Sequence, residues 1–111
     1  MAKLNYVELP VQSTATTKAF FSAAFGWDFT DFGDDYAATM NGVTDLGLNG
    51  DRSLWTSAPL AVIQVDDLEA TEAAVTGAGG TITQPIFAFP GGRRFHFRDP
   101  NGNELAAMQA A

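Results

Sequence analysis

The sequence contains no cysteine, which removes disulfides, thiolate metal sites and cysteine nucleophiles from its possible chemistry. Basic residues are scarce: 6 Lys and Arg stand against 13 Asp and Glu, for a formal charge of −7. Nucleic-acid binding draws its affinity from cations that neutralise phosphates, so no nucleic-acid partner is expected. An acidic surface keeps a chain soluble and also attracts a cationic ligand. No run of about 18 apolar residues occurs, so no membrane span or membrane partner is expected. The opening Met1-Ala2-Lys3-Leu4-Asn5 has no apolar stretch of the signal-peptide kind, and a cytoplasmic location is the expectation. No serine sits in an elbow motif, and neither Gly77 to Gly80 nor Gly91-Gly92 has the spacing of a phosphate loop.

What remains is ordinary globular material. The 111 residues suffice for one domain with a core, and 46% hydrophobic against 17% charged residues is far from the signature of disorder. Leu4 to Val11 alternates as a strand, with Val7, Leu9 and Val11 on one face. Ser13 to Phe25 follows with helical spacing of Ala19, Phe20, Ala23 and Ala24, a Ser start and a Gly26 stop. Trp27 to Phe32, Tyr36 to Met40 and Asp45 to Leu48 read as three short strands separated by Gly33-Asp34-Asp35 and Asn41-Gly42. Gly50 to Ser57 has no period and reads as a linker.

The same order then returns. Leu60 to Val65 is a strand, Asp67 caps a helix from Leu68 to about Thr76, and Gly77, Gly79 and Gly80 end it. Thr81 to Phe87, Arg93 to Arg98 and Glu104 to Gln109 supply three more strands around the turns Pro90-Gly91-Gly92 and Asp99-Pro100-Asn101-Gly102. Val11, Ala19 and Gly26 match Val65, Ala73 and Gly80 at one offset, 80 − 26 = 54. Asn41-Gly42 matches Asn101-Gly102 a few residues later. The expected architecture is α+β: two tandem βαβββ modules, residues 1–56 and 57–111, each too small to bury its own sheet.

Several stretches carry a family resemblance: Tyr6-Val7-Glu8-Leu9-Pro10-Val11, Lys18-Ala19-Phe20-Phe21 running into Phe25-Gly26-Trp27, Val65-Asp66-Asp67-Leu68, and Phe97-Arg98-Asp99-Pro100-Asn101-Gly102-Asn103-Glu104-Leu105. Together they resemble the glyoxalase, bleomycin-resistance protein and extradiol dioxygenase superfamily, the vicinal oxygen chelate proteins. The resemblance implies a mixed sheet curled into a half-open cup with the helices outside, usually in a homodimer. It does not imply one reaction, because the fold hosts isomerases, dioxygenases, lyases, transferases and drug-sequestering proteins.

Strand parity turns Val7, Leu9, Val11, Ala61, Ile63, Val65, Phe95 and Phe97 to the helices. Tyr6, Glu8, Leu60, Gln64, Arg94, His96, Glu104 and Ala106 are then left for the cup. The positions at which metal-dependent members of the resembled family hold their cation match Tyr6, Leu46, Leu60 and Ala106, and three of those side chains have no donor atom. A divalent ion needs three or four such ligands, so no metal and no other cofactor is expected. A displaced divalent site built from Glu8, His96 and Glu104 is the alternative. Otherwise Glu8 or Glu104 pairs with Arg94 or Arg98 in a polar rim. The leading expectation is a metal-free protein that sequesters a small aromatic or cationic ligand against Tyr6, Glu8, Leu46, Leu60, Gln64, Arg94, His96, Glu104 and Ala106. The rival is a lyase or isomerase with Glu8, His96 or Glu104 as general acid or base.

Overall fold

Ser13 and Asp67, themselves 54 residues apart, set where the two helices begin. In the computed structural model, which describes every residue from Met1 to Ala111, helix α1 (Thr14–Phe25) starts where Ser13 Oγ accepts the Thr16 amide at 3.1 Å. Helix α2 (Leu68–Gly77) starts where Asp67 Oδ1 accepts the Ala70 amide at 3.0 Å. Each cap satisfies one of the amides that a helix start leaves without an intrahelical partner. Gly26 closes α1 in the left-handed region at φ +72, where a side chain would be strained. In α2 that conformation falls on Gly79, at φ +100, rather than on Gly80 as the offset alone suggests. Neither helix is long and apolar enough to cross a membrane.

The strands are β1 (Lys3–Pro10), β2 (Thr30–Asp31), β3 (Tyr36–Ala38), β4 (Asp45–Asn49), β5 (Leu60–Gln64), β6 (Thr81–Phe89), β7 (Gly92–Arg98) and β8 (Glu104–Ala110). The order βαβββ therefore occurs twice. The stretch expected as a linker contains a single 3-10 turn at Arg52–Leu54. Strand β2 is far shorter than the expected Trp27 to Phe32, and the packing of its rings explains why. Trp27 lies 5.7 Å from Phe21 and 5.2 Å from Phe25, Phe29 lies 6.4 Å from Phe21, and Ser22 Oγ donates to the Trp27 carbonyl at 2.6 Å. These groups fold back on the end of α1 instead of entering a ladder.

The chain divides into two compact units, Tyr6–Pro59 and Met1–Asn5 with Leu60–Ala111. In the first unit the strand order is β2-β3-β4-β1, antiparallel except for the parallel pair β4/β1. The register sets Val7 beside Leu46, Glu8 beside Gly47 and Leu9 beside Leu48. Since side chains alternate across a strand, Val7, Leu9, Leu46, Leu48 and Ala37 share one face. Tyr6, Glu8 and Tyr36 share the other, along with the bare backbone of Gly47. Val7 and Leu46 meet Trp27 around a hollow of about 190 Å³, so their face is the one toward the end of α1.

The second unit has the order β5-β8-β7-β6, with β5/β8 parallel and the rest antiparallel. Its core is Val65, Leu68, Phe95 and Ala107, all buried, flanked by Ile63, Val75, Ile82, Ile86 and Phe97. Leu68 and Val75 belong to α2, so this is the helix-covered face. Parity leaves Leu60, Val62, Gln64, Arg94, His96, Ala106 and Met108 on the other side. Two register shifts in β6 bring Gln84 beside His96 and Phe87 beside Arg94. The repeat extends to single hydrogen bonds: the Val11 amide donates to the Asn49 carbonyl at 2.9 Å, and the Val65 amide to the Met108 carbonyl at 2.8 Å.

Candidate functional site

A carboxylate, an imidazole and two phenols are found on the uncovered sheet faces. In the first unit Glu8 is only 5% exposed. Tyr36 Oη donates to its Oε1 at 2.8 Å, and the hydroxyls of Tyr6 and Tyr36 meet at 2.5 Å. Burial, followed by the neighbouring Glu8 charge and Tyr6, pushes the Tyr36 phenol well above its ordinary titration range. The two rings reach this arrangement because residue 47 is glycine: a Cβ there would collide with both hydroxyl oxygens. Tyr36 was not among the residues expected at a site. It follows the Gly33-Asp34-Asp35 turn, and nothing in its local sequence marks it off from any other strand aromatic.

In the second unit His96 is 2% exposed, and its Nδ1 lies 3.1 Å from Glu104 Oε2. An ionised carboxylate can only accept, so the proton of this contact sits on Nδ1. Gln84 Nε2 approaches the same nitrogen at 3.5 Å, and the Phe87 ring lies 5.8 Å from the imidazole. The Arg94 guanidinium stands 5.3 Å from the centroids of both Phe87 and Phe89, within cation–π range. Leu60 and Ala106 are buried on this face, and Gln64 Oε1 accepts from Asn5 Nδ2 at 2.9 Å.

The structure thus groups the expected residues in two sets. Tyr6 and Glu8 lie together in the first unit, and Gln64, Arg94, His96, Glu104, Leu60 and Ala106 belong to the second. Leu46 joins neither. Expected on the side of Tyr6, it pairs with Val7 and lines the hollow under Trp27, because a one-residue difference in register reverses the face of every side chain in a strand. Gly47 occupies the place expected for it. Within the second unit Glu104 is held by His96, and Arg98 Nη1 donates to the Gly102 carbonyl at 2.9 Å.

The donor chemistry does not suit a resident cation. Leu46, Leu60 and Ala106 have no donor atom, and no three His, Asp or Glu side chains gather as a metal site requires. Of the displaced set, His96 and Glu104 stand together in the second unit and Glu8 belongs to the first.

Residues 3–107 match the family model described as Glyoxalase/Bleomycin resistance protein/Dioxygenase superfamily. No curated protein sequence matches the chain. Among solved structures, a protein of Legionella pneumophila described as an NAD-dependent benzaldehyde dehydrogenase superposes with a TM-score of 0.79 at 18% identity, over 96% of this chain and 99% of that one. Methylmalonyl-CoA epimerase of Mycobacterium tuberculosis gives 0.73 at 17% identity, over 97% and 87%. A glyoxalase/bleomycin resistance protein/dioxygenase superfamily member of Vibrio splendidus 12B01 gives 0.72 at 16% identity, over 100% of both. At these identities the likeness is one of fold.

Proposed function

The chain belongs to the glyoxalase/bleomycin resistance protein/dioxygenase superfamily, and from that premise we propose that it is a metal-free binding protein for a small aromatic or cationic molecule. The ligand is held on the sheet faces turned away from the helices. One observation carries this reading: the buried polar groups there are engaged by neighbouring side chains, Glu8 by Tyr36 and His96 by Glu104, while the positions that would complete a cation site are Leu60 and Ala106. Aromatic rings and carboxylates side by side suit a flat or positively charged guest.

A thermal-shift panel of aromatic amines, aromatic acids and uncharged aromatics, run with a chelator present, tests the proposal. A ligand that binds only the folded chain raises its melting temperature in proportion to saturation. Stabilisation by an aromatic or cationic class in the chelator supports the reading. Stabilisation only after a divalent metal is added, or none by any class, contradicts it.

The His96–Glu104 contact favours a second reading, a lyase or isomerase in which His96 takes and returns a substrate proton while Glu104 fixes its tautomer. Glu104→Gln would then abolish turnover and leave the fold intact, whereas in a pure binder the same change alters affinity alone. The binding proposal includes a homodimer formed through the exposed rings of Phe20, Phe25 and Trp27. Sedimentation of Trp27→Asp as a monomer beside a dimeric parent is the expected result.

A further inference from the structure

Asn-Gly pairs occur at Asn41-Gly42, Asn49-Gly50 and Asn101-Gly102. Such a pair carries a latent reaction, because a glycine amide nitrogen has no side chain beside it to keep it from the side-chain carbonyl carbon of the asparagine before it. The fold treats the pairs differently. Asn49 is 5% exposed and its Oδ1 accepts the Asp51 amide at 2.9 Å, while the Gly50 amide donates to the Asp35 carbonyl at 2.7 Å. Asn41 is exposed but held at both ends of its side-chain amide: Oδ1 accepts from the Val43 amide at 2.8 Å, and Nδ2 donates to the Thr44 carbonyl at 3.1 Å. Asn101 is exposed, and no hydrogen bond holds its side chain. Beside it Gly102 sits at φ +87 with nothing within 4 Å of where a Cβ would stand, and its amide is engaged by the Asp99 carbonyl alone, at 2.9 Å.

We propose that Asn101-Gly102 is a self-modifying site, the first of these pairs to convert to aspartate and isoaspartate, and that the isoaspartyl product opens the turn between β7 and β8. The Gly102 nitrogen releases its proton to solvent and bonds to Asn101 Cγ. The Cγ–Nδ2 bond then breaks, and the departing nitrogen takes a proton from solvent and leaves as ammonia. Water next adds to the cyclic imide. Attack at Cγ restores the ordinary main chain with an aspartate side chain, whereas attack at the carbonyl carbon of residue 101 routes the main chain through Cγ and lengthens it by a methylene. That extra length falls inside a closed clamp: the Asp99 amide donates to the Asn103 carbonyl at 3.0 Å, the Asn103 amide to Asp99 Oδ1 at 2.9 Å, and Arg98 Nη1 to the Gly102 carbonyl at 2.9 Å. Glu104, which holds His96, begins β8 directly after it. The reaction consumes only water and needs no ligand, so it stands apart from the binding function.

The test incubates the purified chain in mildly alkaline buffer at body temperature, digests samples at mildly acidic pH, and follows each Asn-Gly pair by tandem mass spectrometry with fragmentation that tells isoaspartate from aspartate. Asn101 should convert roughly tenfold or more faster than Asn41, whose side chain must first surrender two hydrogen bonds, and faster again than the buried Asn49. In the chain unfolded by guanidinium these pairs should convert at similar rates. Asn41 or Asn49 converting as fast as Asn101 in the folded chain, or the same ranking in the unfolded chain, overturns the proposal.

The opened turn is read by amide hydrogen exchange on the isoaspartyl form after chromatographic separation. Its Asn103 amide should exchange roughly tenfold or more faster than in the parent, since the bond to Asp99 that protects it is lost. Asn101→Asp, which has the new charge but the ordinary main chain, should keep the parent's protection, and Asn101→Ser should neither convert nor lose it. Equal protection of Asn103 in the isoaspartyl form and the parent, or loss of it in Asn101→Asp, overturns the opening of the turn by the lengthened chain.

Discussion

In the second unit Leu68 of α2 is fully buried against Val65 and Phe95, whereas in the first unit no residue of α1 is buried and Phe20 and Phe25 each keep 60% of their surface exposed. The order of elements, the side-chain caps at the helix starts and the amide hydrogen bond of the strand-end valine are the same in both. What differs is the covered face. One unit rests on an apolar core, and the other on rings stacked at the end of its helix. A repeated pattern of strand and helix fixes how the chain turns and pairs, but the volume of the side chains decides how a helix seats.

Removing a large ring from each unit should give the widest difference between them. Phe95→Ala should cost about 3–5 kcal/mol in urea denaturation, because it empties a fully buried position. Phe25→Ala, at a position still 60% exposed, should cost under about 0.5 kcal/mol in the monomeric chain. Equal losses would show that α1 is seated as firmly as α2.

Gly47→Ala comes next. The new methyl group would strike the Tyr6 and Tyr36 hydroxyls, and overpacking of this kind costs about 1–3 kcal/mol. Loss of a hydroxyl NMR signal should accompany it. The caps provide a control in which the units ought to agree: Ser13→Ala and Asp67→Ala should each cost about 1 kcal/mol, measured by the same denaturation.

The smallest and most diagnostic contrast is in pH. The Tyr36 phenol is raised above its ordinary value of 10.0, so the unfolded chain loses this proton before the folded one does. The stability it contributes is complete below about pH 10 and is lost as the pH rises beyond that. Tyr36→Phe should flatten this alkaline limb. In the second unit Asp99 is held below its ordinary 3.8 by hydrogen bonds from the Asn103 side chain, then from backbone amides including those of Asn103 and Asn101. Glu69 is held down by the Arg93 guanidinium, which donates at 2.6 and 2.9 Å. Their contributions are present above the ordinary carboxylate values and fade as the pH falls toward the folded ones. Asp99→Asn should trim the acid limb of a stability profile and leave the alkaline limb untouched.

The repeat was legible in the sequence because caps and turns are chemistry of single residues. Ser13 and Asp67 accept the amides that a helix start leaves open, and Gly42 and Gly102, matched through their Asn-Gly turns, both adopt positive φ. The Arg93 to Arg98 strand was also legible, since Phe95 and Phe97 alternate with Arg94 and His96 over enough residues to fix the parity. Strand β4 was not. Its five residues, Asp45 to Asn49, include Gly47, which has no side chain to betray a face, so the placement of Leu46 slipped by one. Tyr36 escaped for another reason: its importance comes from Glu8, 28 positions earlier, and no local pattern records a contact across strands. The ring stack of Trp27 and Phe29 escaped likewise, since a β-prone run gives no sign that it will fold back on the preceding helix.

On the proposed function Glu8, His96 and Glu104 are engaged by their protein neighbours and not by a cation. Elemental analysis after exposure of the purified protein to zinc, nickel and ferrous iron, followed by gel filtration, tests it most directly. No ion should travel with the protein in stoichiometric amount, and one ion per chain would contradict the metal-free reading.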